Sequence, residues 1–149
     1  MEHLLRRHEA LRASVHLIDG RPMLAIAETM KLVLVMRDLR PLPADRRETE
    51  MERLCIEDAQ HSFDLGQGPL IRVGLIRLAD ERYVQTLTLH HLACDGWSIG
   101  ILMDELPAIY GAFVEGRPSP LPELEIQFGD YLVWHGDHLA EPSIVAEAD

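Results

Sequence analysis

The spacing of apolar residues switches between helical and extended patterns along the chain. Over residues 1–13, Leu4, His8 and Leu11 recur at offsets of four and seven, near one face of a helix. Three extended stretches follow, at about 14–19, 23–28 and 31–37. The first two are separated by the turn-like Asp19-Gly20-Arg21-Pro22. Residues 44–61 predict a second helix, in which Met51, Leu54, Cys55 and Ala59 lie at offsets of three, four and eight. Its charged remainder, including Asp45, Arg46, Arg47, Glu48 and Glu52, reads as a solvated face.

Phe63 to Pro69 is a turn, and strands are expected at 70–78 and 82–91. A third helix runs from about Trp97 to Glu115, with Leu102, Leu106, Ile109 and Phe113 as its apolar stripe. Pro107 inside it removes one backbone hydrogen bond and is expected to bend it. A proline-rich connector from Arg117 to Pro122 leads to a last helical stretch containing Tyr131, Val133 and Trp134, and the tail at 141–149 is expected to fray. Strands interleaved with helices predict one mixed α/β domain, a two-layer sandwich, over residues 1–140.

Composition narrows the function classes. The 149 residues are 47% hydrophobic and 26% charged, enough for one buried core and not a disordered composition. A formal charge of −11 argues against nucleic acid, whose phosphates call for a basic stripe. The longest aliphatic run, Leu32 to Met36, is far short of the roughly 20 residues that span a bilayer. The N-terminal Met1-Glu2-His3-Leu4-Leu5-Arg6-Arg7 has no apolar signal segment, so a cytoplasmic protein is expected. Cys55 and Cys94 form no spacing motif, in keeping with a reducing compartment.

The chemistry-bearing run is His90-His91-Leu92-Ala93-Cys94-Asp95-Gly96, where a strand gives way to a loop and a helix. If the strand reaches residue 91, alternation puts Leu87, Leu89 and His91 on one face and Thr86, Thr88 and His90 on the other. His91 then leaves the apolar side. Partial burial there disfavours its charged form and keeps a ring nitrogen free to accept a proton or hydrogen bond. That suits a general base or a positioning group in acyl transfer. Asp95 has two readings. It either orients a histidine in a relay, or it is structural, as a helix N-cap or the partner of a buried arginine. Gly96 permits a tight bend or a close approach by substrate.

In an arbitrary sequence such residues are usually surface groups or satisfied core groups. A metal site is disfavoured because His90 and His91 diverge on a strand and no second ligand cluster accompanies them. Nothing in the sequence lowers the pKa of Cys94 to make it a nucleophile.

Four blocks in one order change the weighting: Arg7-His8-Glu9-Ala10-Leu11-Arg12; Phe63-Asp64-Leu65 with Gly68-Pro69-Leu70-Ile71-Arg72; His90 through Ser98; and Phe128-Gly129-Asp130-Tyr131-Leu132-Val133-Trp134. Their order resembles the N-terminal half of the condensation domains of nonribosomal peptide synthetases. The histidine motif alone is shared with a wider superfamily that includes chloramphenicol acetyltransferase. The resemblance implies a chloramphenicol acetyltransferase-like lobe. It further implies amide formation between an acyl or peptidyl thioester on one carrier protein and an aminoacyl thioester on another.

In that family the second histidine is the catalytic centre, which maps to His91, as base or as positioning group, with His90 beside it. The aspartate maps to Asp95 and is structural, ion-paired to the arginine that maps to Arg7. Gly96 lies beside the path of the phosphopantetheine-linked substrate, an arm presented by the carriers, and no directly bound cofactor or metal is implied. Trp97-Ser98 resembles amide-forming members, and heterocyclising members carry aspartate in place of the histidine pair.

A whole condensation domain has two lobes with a tunnel between them. This chain corresponds to the first lobe without its opening elements, so the second lobe is an expected partner and apolar surface is expected to be exposed. The alternatives are a non-catalytic carrier-binding remnant and an oligomeric acyltransferase of the same superfamily.

Overall fold

A computed structural model describes residues 1–139. The chain opens with α1 (Glu2–Arg7), where one continuous helix is expected over 1–13. His8 instead adopts an extended conformation, and a short 3-10 turn (Glu9–Arg12) follows. The break lets Leu4, Leu5 and Leu11 all be buried while Arg12 turns back into the lobe. The Arg12 Nε donates to the Leu5 carbonyl at 2.9 Å, and Nη1 reaches the carbonyls of Ala27 and Glu28. A guanidinium with three carbonyl partners offsets the loss of water that its burial entails.

Strands β1 (Ala13–Ile18) and β2 (Arg21–Ile26) form an antiparallel hairpin through Asp19-Gly20, both at positive φ. That two-residue turn matches the right-handed twist of its strands. The second sheet has β3 (Leu34–Asp38) parallel to β4 (Ile71–Ala79), and β5 (Arg82–Leu89) antiparallel to β4. A parallel pair needs a long crossover. Here α2 (Ala44–Gln60) supplies it.

The alternation of β4 divides the core. Ile71 and Val73 join Leu4, Leu5, Leu11, Leu70, Ala93, Leu102 and Ile109 on one face. Ile76 and Leu78 face the other way, towards Met51, Leu54 and Cys55 of α2. The mixed α/β sandwich is found, with its helical cover shared between the two faces of the β3–β4–β5 sheet. On α2, Arg47 departs from the expected solvated face and donates to the carbonyls of Leu42, Leu78 and Arg40.

Helix α3 (Gly96–Val114) keeps Pro107 within a continuous span. Its buried residues are Leu102, Glu105, Ile109 and Ala112, whereas Phe113, expected in the stripe, is half exposed. Helix α4 (Phe128–Leu139) sets Gly129 close to Glu9 and Ile26, so the last described element returns to the 3-10 turn and β2. The tail at 141–149 lies outside the described residues. Large apolar side chains stand open on β3 (Leu34, Val35, Met36), α3 (Trp97, Tyr110, Val114) and α4 (Val133, Trp134), in line with the expected exposed apolar surface. Among the described residues, no helix is long and apolar enough to cross a membrane.

Candidate active site

Strand β5 ends at Leu89, two residues short of His91, so strand alternation does not place the second histidine. Leu87 and Leu89 pack into the α1–α3 core, while Thr88 faces α2 and donates to Asp58 Oδ2 at 2.6 Å. His90 is the first residue beyond the strand. Its N–H donates to the Leu70 carbonyl at 3.0 Å, and its own carbonyl accepts from Ala93 N at 2.9 Å. The Cys94 thiol also points to that carbonyl, at 3.7 Å. Residues 91–93 form the resulting turn.

The two imidazoles have different surroundings. That of His90 is half-buried, edge-to-face with Phe63 at 5.8 Å between centroids, and its Nδ1 accepts from Leu92 N at 3.1 Å. An accepting Nδ1 carries no proton, so the neutral ring has its hydrogen on Nε2. His91 is exposed, and no described side chain bonds to its ring. The expected partial burial of His91 is therefore corrected: the strand stops early and the turn carries the side chain outward. A cavity of about 560 Å³ lies between α2 and the β3–β4 strands, and neither His90, His91, Asp95 nor Gly96 borders it.

Asp95 is the N-cap of α3. Its Oδ1 accepts from Ser98 N at 2.8 Å and from Ser98 Oγ at 2.6 Å, and Ser98 Oγ in turn accepts from Asp95 N at 3.3 Å, a reciprocal capping box. The Ser98 hydroxyl and then its N–H hold the Asp95 carboxyl below its ordinary value. The implied pairing with Arg7 is absent, because Arg7 is engaged elsewhere. Its Nε donates to Glu105 Oε1 at 2.9 Å, and Nη1 reaches the Pro122 carbonyl. His8 shares the same carboxylate, with Nε2 at 2.6 Å from Glu105 Oε2. An ionised carboxylate only accepts, so His8 Nε2 is the donor. Gln127 completes the knot by donating to the Arg7 carbonyl at 2.9 Å.

Glu105 is thus the residue that sequence reasoning missed. It follows Leu102 by three positions and precedes Ile109 by four, so it lies on the apolar side of α3. A carboxylate there needs a cation from another element, and Arg7-His8 supplies two donors. Burial pushes the Glu105 carboxyl upward, but His8 and Arg7 together outweigh it and leave its pKa below the ordinary value.

Gly96 has ordinary negative φ, so no tight bend requires glycine. A Cβ added there would meet nothing within 4 Å, which leaves open space at the first residue of α3. Burial, followed by the Asp95 charge, pushes the Cys94 thiol up, the opposite of what a nucleophile needs. The site therefore reduces to an open imidazole on a fixed turn, next to a capped helix start and an unobstructed glycine.

The chain matches the Condensation domain family over residues 1–149. It is 43% identical over 138 residues to the phosphinothricin tripeptide synthetase PhsC of Streptomyces viridochromogenes, covering 93% of this chain and 13% of that protein. In structure it is similar to the SgcC5 protein of Streptomyces globisporus, with a TM-score of 0.78, 28% identity, and coverage of 97% of this chain and 32% of that one. The starter condensation domain of rhizomide synthetase RzmA shares the fold at a TM-score of 0.83 and 18% identity, over 93% of this chain and 33% of that one. The chain thus spans a small part of the curated relative and about a third of each of these structures.

Proposed function

This chain belongs to the condensation-domain family, and we propose that it carries the histidine face of an amide-forming site whose central residue is His91. The observation that carries the reading is the contrast within the pair. His90 has its ring and both backbone groups engaged, and His91 presents an exposed imidazole from the turn so fixed.

In the proposed reaction the amine of an aminoacyl thioester attacks the carbonyl of an acyl or peptidyl thioester. A C–N bond forms, the C–S bond breaks, and the proton lost by the amine ends on the departing thiol. An imidazole suits either task this step sets, taking the amine proton or orienting its lone pair. His90 supports it by holding the turn, Asp95 by fixing the start of α3, and Arg7 by tying α1 to α3 through Glu105. The thioesters arrive on phosphopantetheine arms of carrier-protein domains, and the open space at Gly96 leaves an arm room to approach. The second lobe of the domain is the partner that closes the site into a tunnel. A cytoplasmic setting agrees with two free thiols, and the net charge of −11 agrees with a partner other than nucleic acid.

The test is His91→Ala in the complete synthetase, assayed for amide product from two loaded carriers. Loss of product with an unchanged melting temperature is expected. Wild-type turnover in that variant would remove His91 from the reaction and favour a carrier-binding role without chemistry.

A further inference from the structure

A line of contacts runs from α2 to His90. Arg72, on β4, turns towards α2, and its Nη2 donates to the carbonyls of Asp58 and His61, both at 2.7 Å. Its Nε, with no hydrogen bond, stands 3.4 Å from Asp58 Oδ1. So pinned, the guanidinium carbon lies 3.9 Å above the centre of the Phe63 ring. Phe63 in turn meets the His90 ring at 5.8 Å with the planes 81° apart. A cation over one ring and an edge-to-face pair beyond it are both attractive and both directional.

We propose that Phe63, backed by Arg72, is a positioning residue for the histidine turn. It holds the His90 ring in the orientation in which Nδ1 receives the Leu92 N–H, and so fixes the backbone from which the His91 side chain departs. Directional ring contacts select one orientation of His90, which an aliphatic side chain of similar bulk does not do. The Phe63-Asp64-Leu65 turn and the β4 arginine, separated in sequence from the histidines, thereby act on the same few atoms. As far as it concerns the reaction, the inference rests on the reading of His91 given above.

The test uses the complete synthetase with Phe63→Leu, Phe63→Tyr and Arg72→Lys. Two quantities are read: the single-turnover rate of amide formation, and the rate at which diethyl pyrocarbonate modifies His90 and His91, followed by peptide mass spectrometry. Phe63→Leu is expected to slow amide formation by about 10- to 100-fold, the cost of a small misplacement. The carrier concentration for half-saturation should not change, and His90 should become more reactive to the reagent. Phe63→Tyr, which keeps the ring, should restore both readouts. Arg72→Lys keeps the charge but not the flat stacked plane, and should move both in the direction of Phe63→Leu.

Should Phe63→Leu leave His90 reactivity unchanged and the rate at the wild-type value, the positioning role is wrong. A rate that falls only in proportion to folded protein also overturns it. Full turnover in His91→Ala together with altered His90 reactivity in Phe63→Leu would overturn the reaction assignment while leaving the positioning contact standing.

Discussion

Arg7 meets Glu105: the Nε of the first donates to Oε1 of the second at 2.9 Å, with 8% and 11% of their side chains exposed. The pair joins α1 to the middle of α3, one element to another across the core. Asp95, the carboxylate that family resemblance assigns to Arg7, is occupied with Ser98 at the start of the same helix.

The stability costs should follow this pairing. Glu105→Gln and Arg7→Ala each leave one partner of a nearly buried ion pair uncompensated and should cost about 3 kcal/mol. Asp95→Ala removes an exposed cap and should cost less than either. Urea denaturation of the three variants checks the order. A larger loss in Asp95→Ala than in Glu105→Gln would restore the Arg7–Asp95 assignment.

Acid should act through the same carboxylate. The folded-state pKa of Glu105 lies below its ordinary value of 4.5, so its contribution is complete above that value and is lost as pH falls through the folded one. The wild-type denaturation midpoint should therefore drop as the pH falls from above 4.5 through the lower folded-state value. Glu105→Gln should show a shallower drop, and the two proteins should converge in acid. Surface carboxylates such as Asp38, held at about 2 by Arg40, contribute equally to both and cancel in the difference. Parallel curves for the two proteins would show that Glu105 has no linked proton.

The elements are largely legible because periodicity and turn chemistry agree. The helix expected at 44–61 is found at Ala44–Gln60, and strands expected at 70–78 and 82–91 are Ile71–Ala79 and Arg82–Leu89. The histidine run stands out only beside the other three blocks in their order, since alone such residues are usually surface or satisfied core groups. Less legible is anything depending on long-range partners. Glu105 reads as one more charged helix residue until Arg7 and His8 are seen against it, 98 and 97 positions away. The two-residue shortfall of β5 changes the surroundings of His91, since alternation holds only within the strand. Phe63 reads as a turn residue, and its place between Arg72 and His90 depends on a β4–β5 register that no local pattern encodes.

Gly68 should resist substitution. It sits at φ +60°, where a side chain costs about 1–2 kcal/mol, and an added Cβ would stand 3.0 Å from the Met30 methyl and 3.4 Å from the Ala13 carbonyl oxygen. Gly68→Ala should lower stability by at least that amount. Gly68→Asn should lose less of the backbone part, since asparagine enters this region more readily. Wild-type denaturation of Gly68→Ala would count against the turn that sets Leu70, the acceptor of the His90 N–H.

The two histidines should separate cleanly by experiment. His91 is exposed and no described side chain bonds its ring, so His91→Ala should change stability by no more than about 0.5 kcal/mol. His90→Ala gives up an edge-to-face contact, about 0.5–1.5 kcal/mol, together with the exposed hydrogen bond from Leu92 N–H, for which water can substitute. Its denaturation midpoint should fall accordingly, while His90→Asn, which offers an acceptor but no ring, should lie between. If instead His91→Ala proves the more destabilising, the exposed position of its ring is wrong, and with it the division of labour between a histidine that builds the turn and one that meets the substrate.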